Sequence, residues 1–297
     1  MSDTTRKSPA EYRVFAAVED AAEVVVLSTP EWSVKRRIRV SAGPHNLVSS
    51  VDGRYVAVTS PPSDEVVILR SDDAGLVART RVGGSPHDAA FTPDGALLWT
   101  TAEQGRQLVA LSMPEGRVVR RVPTGGRPHD LDVSPDGQQL WLTINGSAQL
   151  QVRSARDGRL IARPDVGGAP HDIAFTPDGR EVWLSNWLSS RLTVVTASTR
   201  RVAGTMMAGE EPHHFAMDQR VLWVSDNGSG TLHRVDPQGR KSIGTVRVGS
   251  APHHVATLDG ITAVAVHGAG TVVVFDGAKR SVAVGPGPHG ITLIRLR

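Results

Sequence analysis

"GGSPHDAAFTPDG" occupies residues 83–95, "GGRPHDLDVSPDG" residues 125–137 and "GGAPHDIAFTPDG" residues 167–179. The copies are evenly spaced, and a histidine keeps its place in each. Extended along the chain, Pro-His occurs seven times, with histidines at His45, His87, His129, His171, His213, His253 and His289. Most copies continue into a short apolar run and an Asp-Gly turn, as at Asp94-Gly95, Asp136-Gly137 and Asp178-Gly179. A second run follows that often carries tryptophan, at Trp99, Trp141, Trp183 and Trp223. A leucine at a fixed offset after each tryptophan opens a third run (Leu108, Leu150, Leu192, Leu232), and a fourth ends at glycine. Short strands rich in β-branched residues and separated by turn signals read as antiparallel β. Four of them in a repeat of about 40 residues is the signature of a propeller blade. No segment sustains a helical apolar period, so helix is nearly absent.

Seven copies predict a seven-bladed, all-β propeller. The last copy, "PHGITLIRLR", is one strand with no blade after it. The chain before Pro44-His45 holds three strand-like runs, "EYRVFAAVE", "EVVVLST" and "VKRRIRV". Three plus one makes a blade, so the C-terminal strand is expected to close the ring against the N-terminal three and remove the exposed sheet edge.

Composition narrows the class. The chain has 297 residues, of which 39% are hydrophobic, with 30 Gly and 19 Pro, which suits a turn-rich fold. There is no cysteine, so neither disulfides nor thiolate metal ligands are available. A formal charge of +3 does not indicate a nucleic-acid surface. No apolar run approaches the length of about 18 residues that a membrane-spanning helix needs. The N-terminal stretch "MSDTTRKSPAEYRVF" lacks the apolar core of a secretion signal. The expectation is a flexible tail over residues 1–10, one propeller domain over 11–297, a cytoplasmic location, a monomer, and no membrane or nucleic-acid partner.

Phrases such as "PHDIAFTPDGREVWLSN" (170–186) resemble the YVTN-type propeller repeat. The "PHGI" ending and the length also resemble virginiamycin B lyase, a seven-bladed propeller enzyme. In a propeller the first strand of each blade is innermost, so the seven Pro-His histidines are expected to ring one mouth of the central channel. Two copies are doubled, at His213-His214 and His253-His254. A second column, four residues after the tryptophan position, contains Glu19, Glu103, Asn145, Trp187, Asn227 and His267 and is placed at the same mouth. In the blade after His45 its member is placed near Thr59. The lyase resemblance implies an acid–base pair of a Pro-His histidine with a glutamate of this column. Here that pair is His289 with Glu19, with His87–Glu103 as a second match and His253–His267 as a variant.

Three readings of the ring compete. The first is structural: proline stiffens the loop and imidazole bonds a neighbouring blade. Against it, a full ring of buried imidazoles is unfavourable unless something satisfies the lone pairs. The second is a transition metal, because imidazole suits Zn, Cu and Fe. One ion takes three or four protein ligands rather than seven. Asp88, Asp130 and Asp172, which follow their histidines, are expected to face away by strand alternation and bond between blades. The third is acid–base chemistry by His289 and Glu19, with a divalent ion such as Mg holding substrate oxygens. Combined, these readings give a metal-dependent enzyme acting on a small molecule. Its metal ligands come from the seven ring histidines, and Glu19, Glu103, His267 and His289 are catalytic. Trp187, Asn145, Asn227, His214 and His254 are placed against the substrate. Lyase-type elimination is preferred over Cu or Fe oxidation. The alternative is a non-catalytic scaffold for a protein, peptide or single-stranded nucleic acid. Such a surface needs aromatic anchors, and the six Trp, two Tyr and five Phe fall mostly in core columns. "GPGPHG" (285–290) fits a dinucleotide fingerprint only in spelling, since no helix follows it.

Overall fold

The computed structural model describes residues 10–218 and 220–296, apart from the Trp187 side chain. The tail expected over residues 1–10 therefore falls almost wholly outside the described residues. The chain forms seven four-stranded antiparallel sheets. Blade 1 is composite. Pro288–Arg295 is its innermost strand, followed outward by Tyr12–Val18, Glu23–Ser28 and Ser33–Arg39. The other inner strands are Leu47–Ser49, Pro86–Phe91, Pro128–Val133, Ile173–Phe175, Pro212–Met217 and Pro252–Leu258, in blades 2 to 7. Helix is limited to four 3-10 turns among the described residues.

Each blade packs its faces against two neighbours, so the core is seven apolar wedges rather than one centre. The wedge between blades 1 and 7 joins Val14, Leu27 and Trp32 to Ala265 and Val272. The wedge between blades 3 and 4 joins Trp99 and Leu108 to Leu131 and Leu142. This two-sided burial explains why the middle strands are continuous apolar runs, such as "EVVVLS", rather than alternating ones. The outermost strands, such as "RVVRRVP" (117–123), face solvent and are charged. Trp99, Trp141 and Trp183 are fully buried in these wedges, and Trp99 Nε1 donates to Ala155 O of the next blade at 2.8 Å. Trp223 is only partly buried; it stacks on Phe275 and lies under Arg234.

The repeated Thr/Ser-Pro-Asp-Gly phrase is structural. In the 92–97 turn the Thr92 hydroxyl bonds Asp94 Oδ1 at 2.6 Å, the same oxygen accepts from Ala96 N, and Gly95 takes φ +69°. A side chain is disfavoured in that left-handed conformation. The same turn recurs at Ser134/Asp136 and Thr176/Asp178.

Ring closure explains a departure from the repeat. The seventh Pro-His is followed by glycine where three other copies have aspartate. Gly290 N donates to His45 O at 2.8 Å, and a Cβ at residue 290 would overlap that oxygen. Only glycine allows the C-terminal strand to approach blade 2 this closely.

Candidate metal centre in the axial channel

The seven Pro-His imidazoles form a closed ring. Neighbouring ring centres are 4.5 Å apart for His45–His87, then 3.9, 4.4, 4.4, 4.3 and 3.7 Å around to His289, with 3.8 Å for His289–His45. A planar heptagon with this spacing has a radius of about 5 Å, whereas an imidazole ligand places its ring centre roughly 3 Å from a metal. An ion on the axis is out of reach of all seven, so any bound ion must lie off the axis, against one arc of the ring.

A β-bulge positions these side chains. In blade 3 the register runs Pro86↔Ala102 and then Ala89↔Thr100, so one strand carries an extra residue beside the histidine. The same irregularity follows Pro128, Pro212 and Pro252. A bulge re-aims side chains and breaks alternation. In blade 4 the residue after the histidine therefore does not turn away, which corrects the expectation for Asp130. Asp130, 1% exposed, points at the ring. Its Oδ1 bonds His87 Nδ1 at 3.1 Å and lies 3.1 Å from His129 Nδ1 in an ion-pair contact rather than a directed hydrogen bond; Oδ2 is 3.6 Å from His171 Nδ1. Asp88 and Asp172 do bond between blades as expected, accepting from Leu131 N and Phe215 N at 3.0 Å. In blade 4 that work falls to Asp132, which accepts from Phe175 N, leaving Asp130 for the histidines.

Beneath the ring the residues after the histidines form a second tier: Asn46, Asp88, Asp130, Asp172, His214, His254 and Gly290. The tier is polarised, with carboxyls on one arc and imidazoles on the other. His214 and His254 stack at 3.5 Å, and His214 Nδ1 is 3.4 Å from Asp172 Oδ2.

Burial sets the charges. It pushes His87 and His213 down to about 4, and His171, His214, His253, His254 and His289 well below the ordinary value, so these rings are neutral at pH 7. Burial acts on His129 in the same direction, but the Asp130 charge outweighs it and raises His129. Asp130 is held well below the usual carboxylate range: burial opposes this, and its histidine neighbours prevail. Burial, with Asp130 adding to it, raises Asp88 to about 7 and Asp172 well above its ordinary value.

The mouth column lies beside the ring as expected. The backbone N–H of Glu19, Glu103, Asn145, Asn227 and His267 each donates to the carbonyl of the residue before a Pro-His proline. Its member in blade 2 is Pro61, which opens a 3-10 turn, and not Thr59. The pairings differ from those the lyase resemblance implied. Glu19 Oε1 bonds His45 Nδ1 rather than His289, because the side chain leans toward the following blade. His289 stays within ligand reach of both. His87 pairs with Asp130 and not with Glu103; Glu103 Oε1 accepts from Asn145 Nδ2 at 2.9 Å and lies 3.9 Å from Arg127 Nε. His267 lies 6.1 and 6.2 Å from the rings of His253 and His289. The Trp187 side chain lies outside the described residues.

One set of residues escaped the sequence reading. Thr59, Thr101, Thr143 and Ser185 each accept from the N–H of the residue after their own histidine, at 3.0–3.1 Å. Each donates to the histidine carbonyl of the next blade, at 2.7–3.0 Å. These hydroxyls clamp the ring from blade to blade. Among the described residues Ser225 bonds only its own blade, at His214 N and O. The signal lies in the sequence, since a Ser or Thr stands two residues after each of the four tryptophans.

Nine channel histidines, seven in a closed ring and two beneath it, define a propeller with a nitrogen-rich axial site. A family profile described as lactonase, seven-bladed beta-propeller, matches residues 13–200, and the chain belongs to that family. No curated protein matches it. Among solved structures, the periplasmic gluconolactonase PpgL of Pseudomonas aeruginosa is similar at 19% identity, over 96% of this chain and 99% of that one, with a TM-score of 0.77. Hydrazine synthase of Kuenenia stuttgartiensis is similar at 17% identity, over 88% and 91%, with a TM-score of 0.79. Apo AztD of Citrobacter koseri is similar at 14% identity, over 97% and 99%, with a TM-score of 0.73. At such identities the likeness is one of fold. The comparisons replace the lyase resemblance with the lactonase family, and the YVTN repeat is not among their findings. No helix among the described residues is long and apolar enough to cross a membrane.

Proposed function

We propose that this protein is a metal-dependent hydrolase of the lactonase type, with its metal held where His45 and His87 meet. One observation carries the metal. His45 Nε2 and His87 Nε2 face each other at 3.0 Å, while their Nδ1 atoms are engaged by Glu19 and Asp130. Carboxylates on both Nδ1 atoms select the Nδ1–H tautomers, which directs two lone pairs at each other. This is unfavourable unless a cation lies between them, and carboxylate-backed imidazole is the usual outer arrangement of a metal ligand. The separation is close to the ligand–ligand edge, about 3.3 Å, of a tetrahedral site with metal–nitrogen bonds of about 2.0–2.1 Å. His289, 6% exposed with no hydrogen-bond partner at Nδ1 among the described residues, stacks on His45 and supplies a third donor. Nitrogen donors favour Zn, Cu or Fe over Mg.

A divalent ion there would polarise an ester carbonyl and lower the pKa of a water molecule. Hydrolysis adds the water oxygen to the carbonyl carbon and breaks the ring C–O bond, and the freed alkoxide takes a proton to give a hydroxy acid. In this reading His267, at the mouth, carries that proton. The polar rim of Glu103, Asn145 and Asn227 suits a polyhydroxylated substrate, and the gluconolactonase fold neighbour supports a sugar lactone.

The test uses untagged protein, metal analysis, and opening of D-glucono-1,5-lactone followed by proton release. The expected result is about one tightly held equivalent at this arc, with turnover that chelation removes and metal restores. Both are lost in the His45→Ala/His87→Ala variant. A metal-free protein that hydrolyses the lactone equally well would overturn the metal role, and metal binding without turnover would overturn the hydrolase.

A further inference from the structure

Two residues of the tier beneath the ring, with one ring histidine, form a second donor cluster that the mouth chemistry does not use. His214, His253 and His254 each bring a ring nitrogen within 4.8 Å of the other two. His214 is 2% exposed, and its Nε2 has no hydrogen-bond partner among the described residues. Its other nitrogen lies 3.4 Å from Asp172 Oδ2, which is itself fixed by Phe215 N. This places a carboxyl group behind the imidazole, as at the mouth. His253 Nδ1 and His254 Nδ1 are 3.3 Å apart. That separation matches the edge of a tetrahedron with metal–nitrogen bonds of about 2.0 Å.

The ring spacings agree with this. Two imidazoles on one tetrahedral ion place their centres about 5 Å apart. His214–His253 and His253–His254 are at 5.0 and 5.3 Å. The His214–His254 stack, at 3.5 Å, must open to complete the site. Charge also fits. Asp130, which its histidine neighbours hold ionised, lies against His214 and supplies negative charge that a buried cation needs.

From this geometry we infer that the propeller has a second, buried metal site on His214, His253 and His254. It takes a late first-row transition cation through nitrogen alone. It excludes Mg and Ca, which need oxygen ligands. The site does not depend on the hydrolase reading, because it shares no ligand with the His45–His87 arc.

The experiment titrates metal-free, untagged full-length protein with Co2+, followed by the visible absorption of tetrahedral cobalt. Wild type should take up two equivalents. The His45→Ala/His87→Ala variant should lose the mouth equivalent and keep the other with its tetrahedral band, whereas His214→Ala/His254→Ala should keep the mouth equivalent alone. In case the second variant does not fold, 15N-histidine NMR of wild-type protein with Zn2+ gives the same answer: the second equivalent should shift His214 Nε2 and the Nδ1 atoms of His253 and His254. A single equivalent in wild type overturns the proposal, as does a second equivalent that leaves those three histidines unshifted. Failure of lactone hydrolysis leaves it intact.

Discussion

Replacing Thr101 by valine tests how the ring is held. Thr101 is fully buried. Its hydroxyl accepts from Asp88 N at 3.0 Å and donates to His129 O of the next blade at 2.7 Å. Valine keeps the shape and removes both bonds, which leaves one buried donor and one buried acceptor without partners. Each orphaned group costs about 1–3 kcal/mol, and the gained methyl offsets part of that. The expected loss is about 2–4 kcal/mol in urea unfolding followed by tryptophan fluorescence, with an unchanged denaturant slope. Thr59→Val and Thr143→Val should behave alike, because their bonds are equivalent. Ser225→Ala should cost less, since its hydroxyl joins no second blade. A Thr101→Val loss within about 0.5 kcal/mol, the range of a neutral surface change, would refute the clamp.

Asp130→Asn should destabilise the metal-free protein in a pH-dependent way. Asp130 lies below its unfolded value of about 3.9, so its share of stability is present above that pH and lost as pH falls through the folded value. His129 lies above its unfolded value of about 6.5, so its share is present below that pH and lost as pH rises through the folded value. The gap to wild type, about 3–5 kcal/mol for a broken buried pair, should be widest between about pH 4 and 6.5 and shrink above; a gap constant from pH 5 to pH 9 would contradict the pairing. Gly290→Ala should cost about 1–3 kcal/mol by overpacking against His45 O, read as a lower thermal midpoint; an unchanged midpoint would show that closure tolerates a side chain there. Glu19→Gln should weaken metal binding at the mouth by about 10–100-fold through His45, measured by competition with a chelator; equal affinity would remove Glu19 from the site. Zinc at about 100 times its Kd should stabilise wild type by about 2.7 kcal/mol, and His45→Ala/His87→Ala should lose that share of the shift.

The sequence by itself determined the architecture, and the reason is repetition. An even period with turn signals at fixed offsets admits only one stacking unit, and seven Pro-His copies count the blades. The single strand at one end and the three at the other dictate the closure between Pro288–Arg295 and Tyr12–Val18. The same period placed all seven histidines at equivalent positions around an axis, so the ring was legible before any coordinate. The contacts within the ring were not legible. Alternation predicted that Asp130 faces away from the histidine before it, and the bulge beside Pro128 overrides it. Glu19 was matched to His289 because both belong to blade 1, yet its side chain crosses to His45 of blade 2. Sequence spacing fixes where a residue sits within its own blade. Which neighbour it meets depends on the lean of side chains across the blade boundary and on burial in a crowded channel, and only the tertiary structure decides that.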